Sequence, residues 1–214
     1  MGDDGRNVGF QKEVPLARVQ LLTDFLFASA MMFMLLGFDL PDPEVITTDQ
    51  QIFEFLKKQL PAIEVYAITF LLIAIYWVKH LEHFSFIEQI DYRLLWLQLL
   101  FLLFLVILPI ANTYSVLYVD SRAVHVCYCV ILIGMGLFSY ASWRYASTDH
   151  RLIKSATPAT IIRDLRIDAL VEPAAALISL FVCLVHLQIG QLLLLGVPII
   201  FGWQRRKIVS RHRD

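Results

Sequence analysis

Three ionisable side chains lie at the ends of apolar runs in the sequence. Asp24 falls inside a run that begins near residue 17, and His80 and His83 close another. An aspartate at the centre of a membrane helix costs about 2.5–3.5 kcal/mol on insertion scales, so Asp24 is expected to have a partner. It serves either as an ion or proton site or as a buried clamp between helices. His80 and His83 share a helix face, but zinc needs at least three protein ligands, so we expect no metal site.

Other chemistry is not indicated. The sequence contains no nucleophile elbow and no glycine-rich phosphate loop, so we expect neither an enzyme nor a bound cofactor. A net charge of −1 gives no basic surface for nucleic acid. Cys127, Cys129 and Cys183 all lie in apolar runs, which favours small buried side chains over disulfides.

The partner of Asp24 is expected on another helix. Arg18 lies six residues earlier, about 120° away on a helical wheel, so the two do not form the usual ion pair of neighbouring turns. Polar and aromatic side chains occur at the same depth in the segments YWVKH and RLLWLQ. They make five candidates for a polar cluster around Asp24, namely Lys79, His80, Arg93, Trp96 and Gln98.

The elements that hold these groups are predicted to be membrane helices. The chain is 58% hydrophobic with a mean hydropathy of +0.64, above the needs of a soluble core. Unbroken apolar runs of about 20 residues indicate helices rather than barrel strands. We predict an all-α protein with six spans, at residues 17–38, 61–80, 93–113, 122–145, 167–187 and 189–204. The last two form a tight hairpin through residues 186–190, and Glu172-Pro173 is either a helix entry or a kink.

The distribution of basic residues predicts the orientation. With the N-terminus inside, all but Lys57, Lys58 and Arg122 of the 18 lysines and arginines lie in cytoplasmic segments. We therefore predict that both termini are cytoplasmic. Residues 1–15 form a polar tail, residues 16–204 a transmembrane domain and residues 205–214 a basic tail. The first outer loop is rich in acidic residues, which either attract cations or are ordinary solvated charges.

The order of several motifs resembles one family. Arg18, Thr23-Asp24 and Phe27-Ala28 are followed by YWVKH at 76–80, RLLWLQLLFLLFLVILP at 93–109 and WRYA at 143–146. This series resembles the prokaryotic branch of the transmembrane protein 175 family of potassium channels. The resemblance covers the first four spans, whereas the last two agree in length and polarity only. Leu22 and Gln98 depart from the phenylalanine and asparagine expected at their positions.

The resemblance implies a homotetramer in the lipid bilayer of a prokaryotic plasma membrane. The first helix of each subunit would line a central pore that potassium ions permeate, without a re-entrant filter loop, and the sequence indeed holds no TVGYG-like segment. Arg18, Thr23 and Asp24 would lock the first helix to its neighbours. His80 and Gln98 take the places of the family's histidine and polar residue, and we add Trp96 to this polar clamp.

The pore-facing positions implied by the family correspond to Ser29, Met32 and Leu36. On a helical wheel these three fall within an arc of about 60°, which Phe25 joins, and Asp24 lies about 80° outside it. Asp24 is therefore predicted to point into the subunit bundle rather than into the pore. Because the bulky side chains are Met32 and Leu36 rather than residue 29, the apolar gate is expected about one turn, or roughly 5 Å, further out than is usual in the family.

The sequence leaves two other functions open. A proton-coupled transporter or proton-leak pathway would use Asp24 and His80 and would need helices broken at mid-membrane. A non-conducting scaffold or receptor would need a signalling domain, and the longest predicted cytoplasmic loop has only about 20 residues. Conduction of potassium through a pore lined by the first helix is the function we expect.

Overall fold

The described part of the protein is built of helices. A computed structural model describes residues 15–37, 40–194 and 196. The bounds of the six named α-helices are α1 Leu16–Phe33, α2 Asp49–Phe86, α3 Tyr92–Leu117, α4 Arg122–Ser147, α5 Ala159–Asp168 and α6 Val171–Val185. A 3₁₀ turn, Met34–Gly37, continues α1, a second follows α4 at Thr148–His150, and residues 187–194 are again helical.

Five described segments are long and apolar enough to cross a membrane, counting α5 and α6 together. They contain or closely match the first five predicted spans, and the prediction of an all-α membrane protein is confirmed for the described residues. Only the beginning of the predicted sixth span, 189–204, is described; residue 195 and residues 197–204 lie outside the described residues.

The helix that contains the second predicted span extends beyond it at both ends, because hydropathy marks the membrane and not the helix. α2 has 38 residues and begins at Asp49, not at residue 61. The side chains of Thr48 and Gln51 form a capping box that satisfies the free backbone N–H groups of the first turn. Pro61, where the apolar run begins, lies inside the helix. At 1.5 Å per residue, α2 is about 57 Å long, well beyond a hydrocarbon core of about 30 Å.

The predicted fifth span is broken into two helices. α5 ends at Asp168, and α6 begins at Val171 after a single helical-type turn. Pro173 is the third residue of α6, where its missing N–H leaves no hydrogen bond unmade, so Glu172-Pro173 is the helix entry that the sequence offered as one alternative. After α6, His186 adopts an extended conformation, and the chain becomes helical again at residues 187–194.

α4 forms the centre of the bundle by packing on α3 and α6. Glycines let the helices approach closely: a Cβ at Gly136 would lie 2.5 Å from the Pro173 ring, and one at Gly134 would lie 2.5 Å from the Phe104 ring. The hairpin predicted between the last two spans is also tight, since a Cβ at Gly190 would meet Cys183 at 2.7 Å. Ser179 Oγ donates to the Gly190 carbonyl across this contact (2.7 Å).

A cluster of buried apolar side chains closes the end of the bundle where α1 begins. It joins Val19 of α1 to Phe84, Leu94 and Trp143 on α2, α3 and α4. Antiparallel pairing of Ile87 with Ile153 fixes the α2–α3 connection against the chain after α4. This cluster determines how the start of α1 is held.

One prediction about the cysteines is corrected. Cys129 and Cys183 are buried free thiols, as small apolar side chains should be, but Cys127 is exposed. Residues 127 and 129 are separated by about 200° on α4, so they lie on nearly opposite faces.

Candidate functional site

One face of α1 packs against the rest of the chain. Its buried side chains are Val19, Thr23, Phe27 and Ala30, and the face continues at Met34 in the 3₁₀ turn. Their spacing of three and four residues follows the helical period, so they form a stripe along one side. The residue most nearly opposite this stripe is Met32, about 180° away on the wheel.

The predicted pore residues lie mainly on the free face of α1. Phe25 is 65% exposed and Met32 is 59% exposed, whereas Ser29 is half-buried. Leu36 lies in the 3₁₀ turn, and its side chain is outside the described residues. Within a single subunit these apolar side chains contact little of the bundle, which is the arrangement a pore face needs; their role as pore lining and gate stays a prediction.

Asp24 is held by a residue that the sequence argument did not select. Trp77 Nε1–H donates to Asp24 Oδ1 at 3.0 Å. The partner does come from α2 and from the YWVKH segment, as expected, but it is the tryptophan rather than Lys79 or His80. Asp24 is also exposed in the single chain, so it lies at the edge of the packed face instead of inside the bundle.

The neighbouring Thr23 is fully buried. Its hydroxyl donates to the Val19 carbonyl within α1 at 2.8 Å, so the hydrogen bond stays within the helix. Thr23 therefore contributes to the clamp by packing, because its hydroxyl is already used by its own backbone.

His80 and Gln98 are buried beside α1 without forming a polar chain to it. The His80 ring lies between aromatic rings, with centroid distances of 4.1 Å to Phe84, 6.0 Å to Phe27 and 6.1 Å to Phe101. Within the described chain, neither His80 Nε2 nor Gln98 Oε1 has a hydrogen-bond partner. The side chain of His80 thus meets α1 through the Phe27 ring.

Arg18 and Trp96 point away from this region. Both are exposed in the single chain, Trp96 to 62%. The six residues predicted to form the polar clamp are therefore not brought together as one hydrogen-bonded cluster within one subunit. Their joint role stays a prediction that concerns contacts between subunits.

The strongest polar contact in the described chain is a buried cluster of one lysine and two carboxylates. Lys79 Nζ lies 2.7 Å from Glu172 Oε1 and 2.8 Å from Asp168 Oδ2, and it also donates to the Asp168 carbonyl oxygen. Lys79 is 2% exposed, and both acidic residues are buried. This Lys79 triad joins α2 to the α5–α6 junction.

The triad corrects the predicted place of Lys79. Lys79 is a buried residue of α2 and does not belong among the cytoplasmic loop cations. A detectable signal was present: Lys79, Asp168 and Glu172 all fall at or within predicted spans, where opposite charges are expected to pair. The sequence alone could not show which of the several cations and acids in the spans pair with one another.

The two histidines of α2 are packed against rings. His83 stacks on Trp143 with ring centroids 4.8 Å apart, on the side of the helix that faces α4. In the part of the chain that the structure describes, no three histidine, cysteine, aspartate or glutamate side chains are grouped as a metal site requires. The described chain therefore combines two features: the free apolar face of α1, and the buried ion pairs of the Lys79 triad that hold α2 against the α5–α6 junction.

The first half of the chain matches a known family. The family model described as the endosomal/lysosomal potassium channel TMEM175 matches residues 18–109, the part that contains α1, α2 and most of α3. A protein named as a potassium channel from Streptomyces collinus is 28% identical over 154 residues, covering 70% of this chain and 73% of the relative. The resemblance predicted from the sequence is confirmed, and the matched proteins are channels, in agreement with the prediction that the chain is not an enzyme.

Two solved structures share the fold. The crystal structure of a TMEM175 homologue from Chamaesiphon minutus, described as a lysosomal potassium-selective channel homologue, superposes with a TM-score of 0.76 at 17% identity. The match covers 88% of this chain and 97% of that chain. A variant of the potassium channel MtTMEM175, bound to a nanobody fusion, matches with a TM-score of 0.63 at 16% identity over 99% of this chain and 100% of that chain.

Proposed function

We propose that this chain, a relative of the transmembrane protein 175 channels, forms a potassium-permeable leak channel in a prokaryotic plasma membrane. Four copies would surround a central pore that α1 of each copy lines. The observation that carries this proposal is the division of α1 into one packed face and one free apolar face. The names of the matched relatives support potassium as the permeant ion.

A free apolar face on a membrane helix can meet lipid, another subunit or a pore. For α1 we infer a pore because the positions that the family uses fall mainly on this free face. Phe25 and Met32 lie on this face and are more than half exposed in the single chain. In a ring of four copies, an apolar face of this kind would form a constriction that controls conduction by excluding water.

The gate in this proposal is formed by Met32 and Leu36. Ser29 is small and half-buried, so it leaves more room than the residues one turn further along. Methionine is unbranched and flexible. The constriction formed by the four Met32 side chains, one from each subunit, can therefore change its width without movement of the helix backbone.

The orientation is part of the same proposal. Among the described residues, the basic side chains other than Lys79 still lie mostly at the end of the bundle where α1 begins. The excess of basic residues at that end supports a cytoplasmic location for both termini. The acidic first loop would then face the outside, and α2 would begin there at Asp49.

Flux measurement tests the proposal directly. Purified protein is reconstituted into liposomes that hold a potassium gradient, and flux is followed with a potential-sensitive dye. We expect potassium flux above that of empty vesicles, with sodium and proton gradients tested in parallel. Folded protein, verified by a single symmetrical size-exclusion peak, that conducts no more than empty vesicles would rule the channel out; flux of protons alone would favour the pathway through Asp24 and His80.

A further inference from the structure

A cavity of about 330 Å³ lies at the end of the bundle where α3 ends and α4 begins. Its walls come from α2, the end of α3, the start of α4 and the helical residues 187–194. α1 contributes no lining residue, so the cavity is separate from the proposed pore face. We call it the α2–α4 crevice. Its volume is at the lower end of the range for ligand sites, which suits a small molecule.

Part of the crevice wall is apolar. Val65, Ile68, Val124 and Leu192 line it, and the polar groups at its base have partners within the protein. Thr69 Oγ1 and Tyr128 Oη are 2.8 Å apart, and Thr69 also donates to Asn112 Oδ1.

Two further polar side chains on the walls are also engaged. His125 Nε2 lies 2.9 Å from Ser179 Oγ, and Gln191 Nε2 donates to the Val119 carbonyl at 2.7 Å. Because these groups need no hydrogen bond from a ligand, the base favours an apolar group over a polar one.

Among the described residues, Glu64 is the one acidic side chain in the lining. Glu64 is exposed on α2, and among the described residues no cation lies within ion-pair distance of its carboxylate. Tyr118 also lines the crevice; the residue is 56% exposed, and its ring stacks on Tyr114 on one side, with the centroids 6.3 Å apart. A carboxylate and the other face of this ring together attract an organic cation, the first by charge and the second by the electrostatic field of the ring.

We propose that the α2–α4 crevice binds an organic ammonium ion that carries a short apolar tail. The ammonium group lies at Glu64 and Tyr118, and the tail extends between Val65, Ile68 and Val124. The charge of Glu64 argues against the headgroup of an anionic phospholipid, whose net negative charge would meet an unneutralised carboxylate. This inference does not depend on the proposed conduction of potassium, since binding can be measured without flux.

Three probes with the same eight-carbon tail test the proposal: octyltrimethylammonium, octanol and octyl sulfate. Each is titrated into the detergent-purified protein while the unfolding temperature is recorded, because a ligand that binds the folded state raises it. We expect a saturable rise with octyltrimethylammonium at the lowest concentration of the three. Equal or stronger binding of octyl sulfate would overturn the proposal and indicate a site for tails regardless of charge.

Two variants assign the binding to the crevice. Glu64→Gln is nearly isosteric and should weaken octyltrimethylammonium binding about tenfold or more, whereas Glu54→Gln, on the same helix but outside the lining, should leave it unchanged. Ile68→Trp should fill the cavity and remove binding of the cation and of octanol alike. An unchanged affinity in Glu64→Gln, or an equal loss in Glu54→Gln, would contradict the proposal even if Ile68→Trp fails to fold.

Discussion

At the scale of residues, the Lys79 triad shows how this protein holds charge inside an apolar bundle. Removing Lys79, Asp168 and Glu172 from water carries a large cost, which short contacts of 2.7–2.8 Å offset. The triad holds two acids and one base, so the lysine is shared between them. It is therefore the residue on which the other two depend.

Substituting Lys79 should destabilise the protein strongly. Lys79→Met leaves two buried carboxylates without their cation, a change of the kind that costs about 3–5 kcal/mol. Thermal unfolding in detergent and the yield of folded protein measure the effect. Lys58→Met, at an exposed position of the same helix, is the matched control and should be nearly neutral.

A triple variant separates the charge from the shape of the triad. Adding Asp168→Asn and Glu172→Gln to Lys79→Met removes the carboxylate charges, and much of the lost stability should return. The role given to the ion pairs would be contradicted if Lys79→Met had the same unfolding temperature as Lys58→Met. It would also be contradicted if the triple variant were no more stable than Lys79→Met alone.

The contact between Trp77 and Asp24 changes how the role of Asp24 can be tested. Asp24→Asn keeps an oxygen that can accept from the Trp77 indole, so the oligomer should survive even if Asp24 is only a clamp. Trp77→Phe removes the donor and keeps an aromatic ring, at an expected cost of about 1 kcal/mol. Size-exclusion chromatography after mild heating should show less oligomer for Trp77→Phe than for Asp24→Asn.

Comparison of Asp24→Asn with Trp77→Phe also decides whether Asp24 is a proton site or a clamp between helices. If Asp24 is a proton site, Asp24→Asn should change the pH dependence of flux while leaving the oligomer intact. If it is a clamp, the pH dependence should match that of the wild type. Asp24→Asn protein that loses its oligomer more readily than Trp77→Phe protein would show that the indole is not the principal partner.

At the scale of elements, close helix contacts depend on two glycines of α4. The ring of Pro173 cannot rotate away from a Cβ placed 2.5 Å from it at Gly136, so α4 and α6 would have to separate. This contact ties together the helix at the centre of the bundle and the helix that carries Glu172. A side chain at Gly136 should therefore also disturb the Lys79 triad.

Gly136→Ala should lower the unfolding temperature. Overpacking of this kind costs about 1–3 kcal/mol, more than the approximately 1 kcal/mol that alanine gains over glycine in a helix. Gly196→Ala is the control, because among the described residues a Cβ there would have no neighbour within 4 Å, so the substitution should be neutral or slightly stabilising. Circular dichroism during heating measures both. A Gly136→Ala protein as stable as Gly196→Ala would show that α4 and α6 can adjust at no cost.

Element type was easier to predict from the sequence than element length. Long apolar runs identified the membrane helices, since lipid leaves a backbone few other ways to satisfy its hydrogen bonds. The start of α2 at Asp49 was missed because the first three turns carry Glu54, Lys57 and Lys58 and have low hydropathy. The capping pair of Thr48 and Gln51 was the local signal that could have found it.

At the scale of the whole molecule, the sequence predicted the packed order of helices less well than their existence. Lys79 and Glu172 are 93 positions apart, and nothing in their local context shows that α2 meets the start of α6. Trp77 is similarly 53 positions from Asp24. Periodicity determines which face of α1 is distinct, but the identity of its partners follows from the complete arrangement of the bundle.

The free face of α1 makes a prediction that belongs to the assembled molecule. Met32 and Leu35 are similarly exposed in a single chain, at 59% and 64%, but lie about 60° apart on the helix, and only Met32 falls on the predicted pore stripe. In a background where the exposed Cys127 is replaced by serine, a membrane-impermeant thiol reagent should block potassium flux through Met32→Cys channels and have little effect on Leu35→Cys channels. The reason is that only a ring of side chains around the pore can close it when each is enlarged. Flux in liposomes before and after the reagent measures the block, and equal block of the two variants would place the pore on a different face of α1.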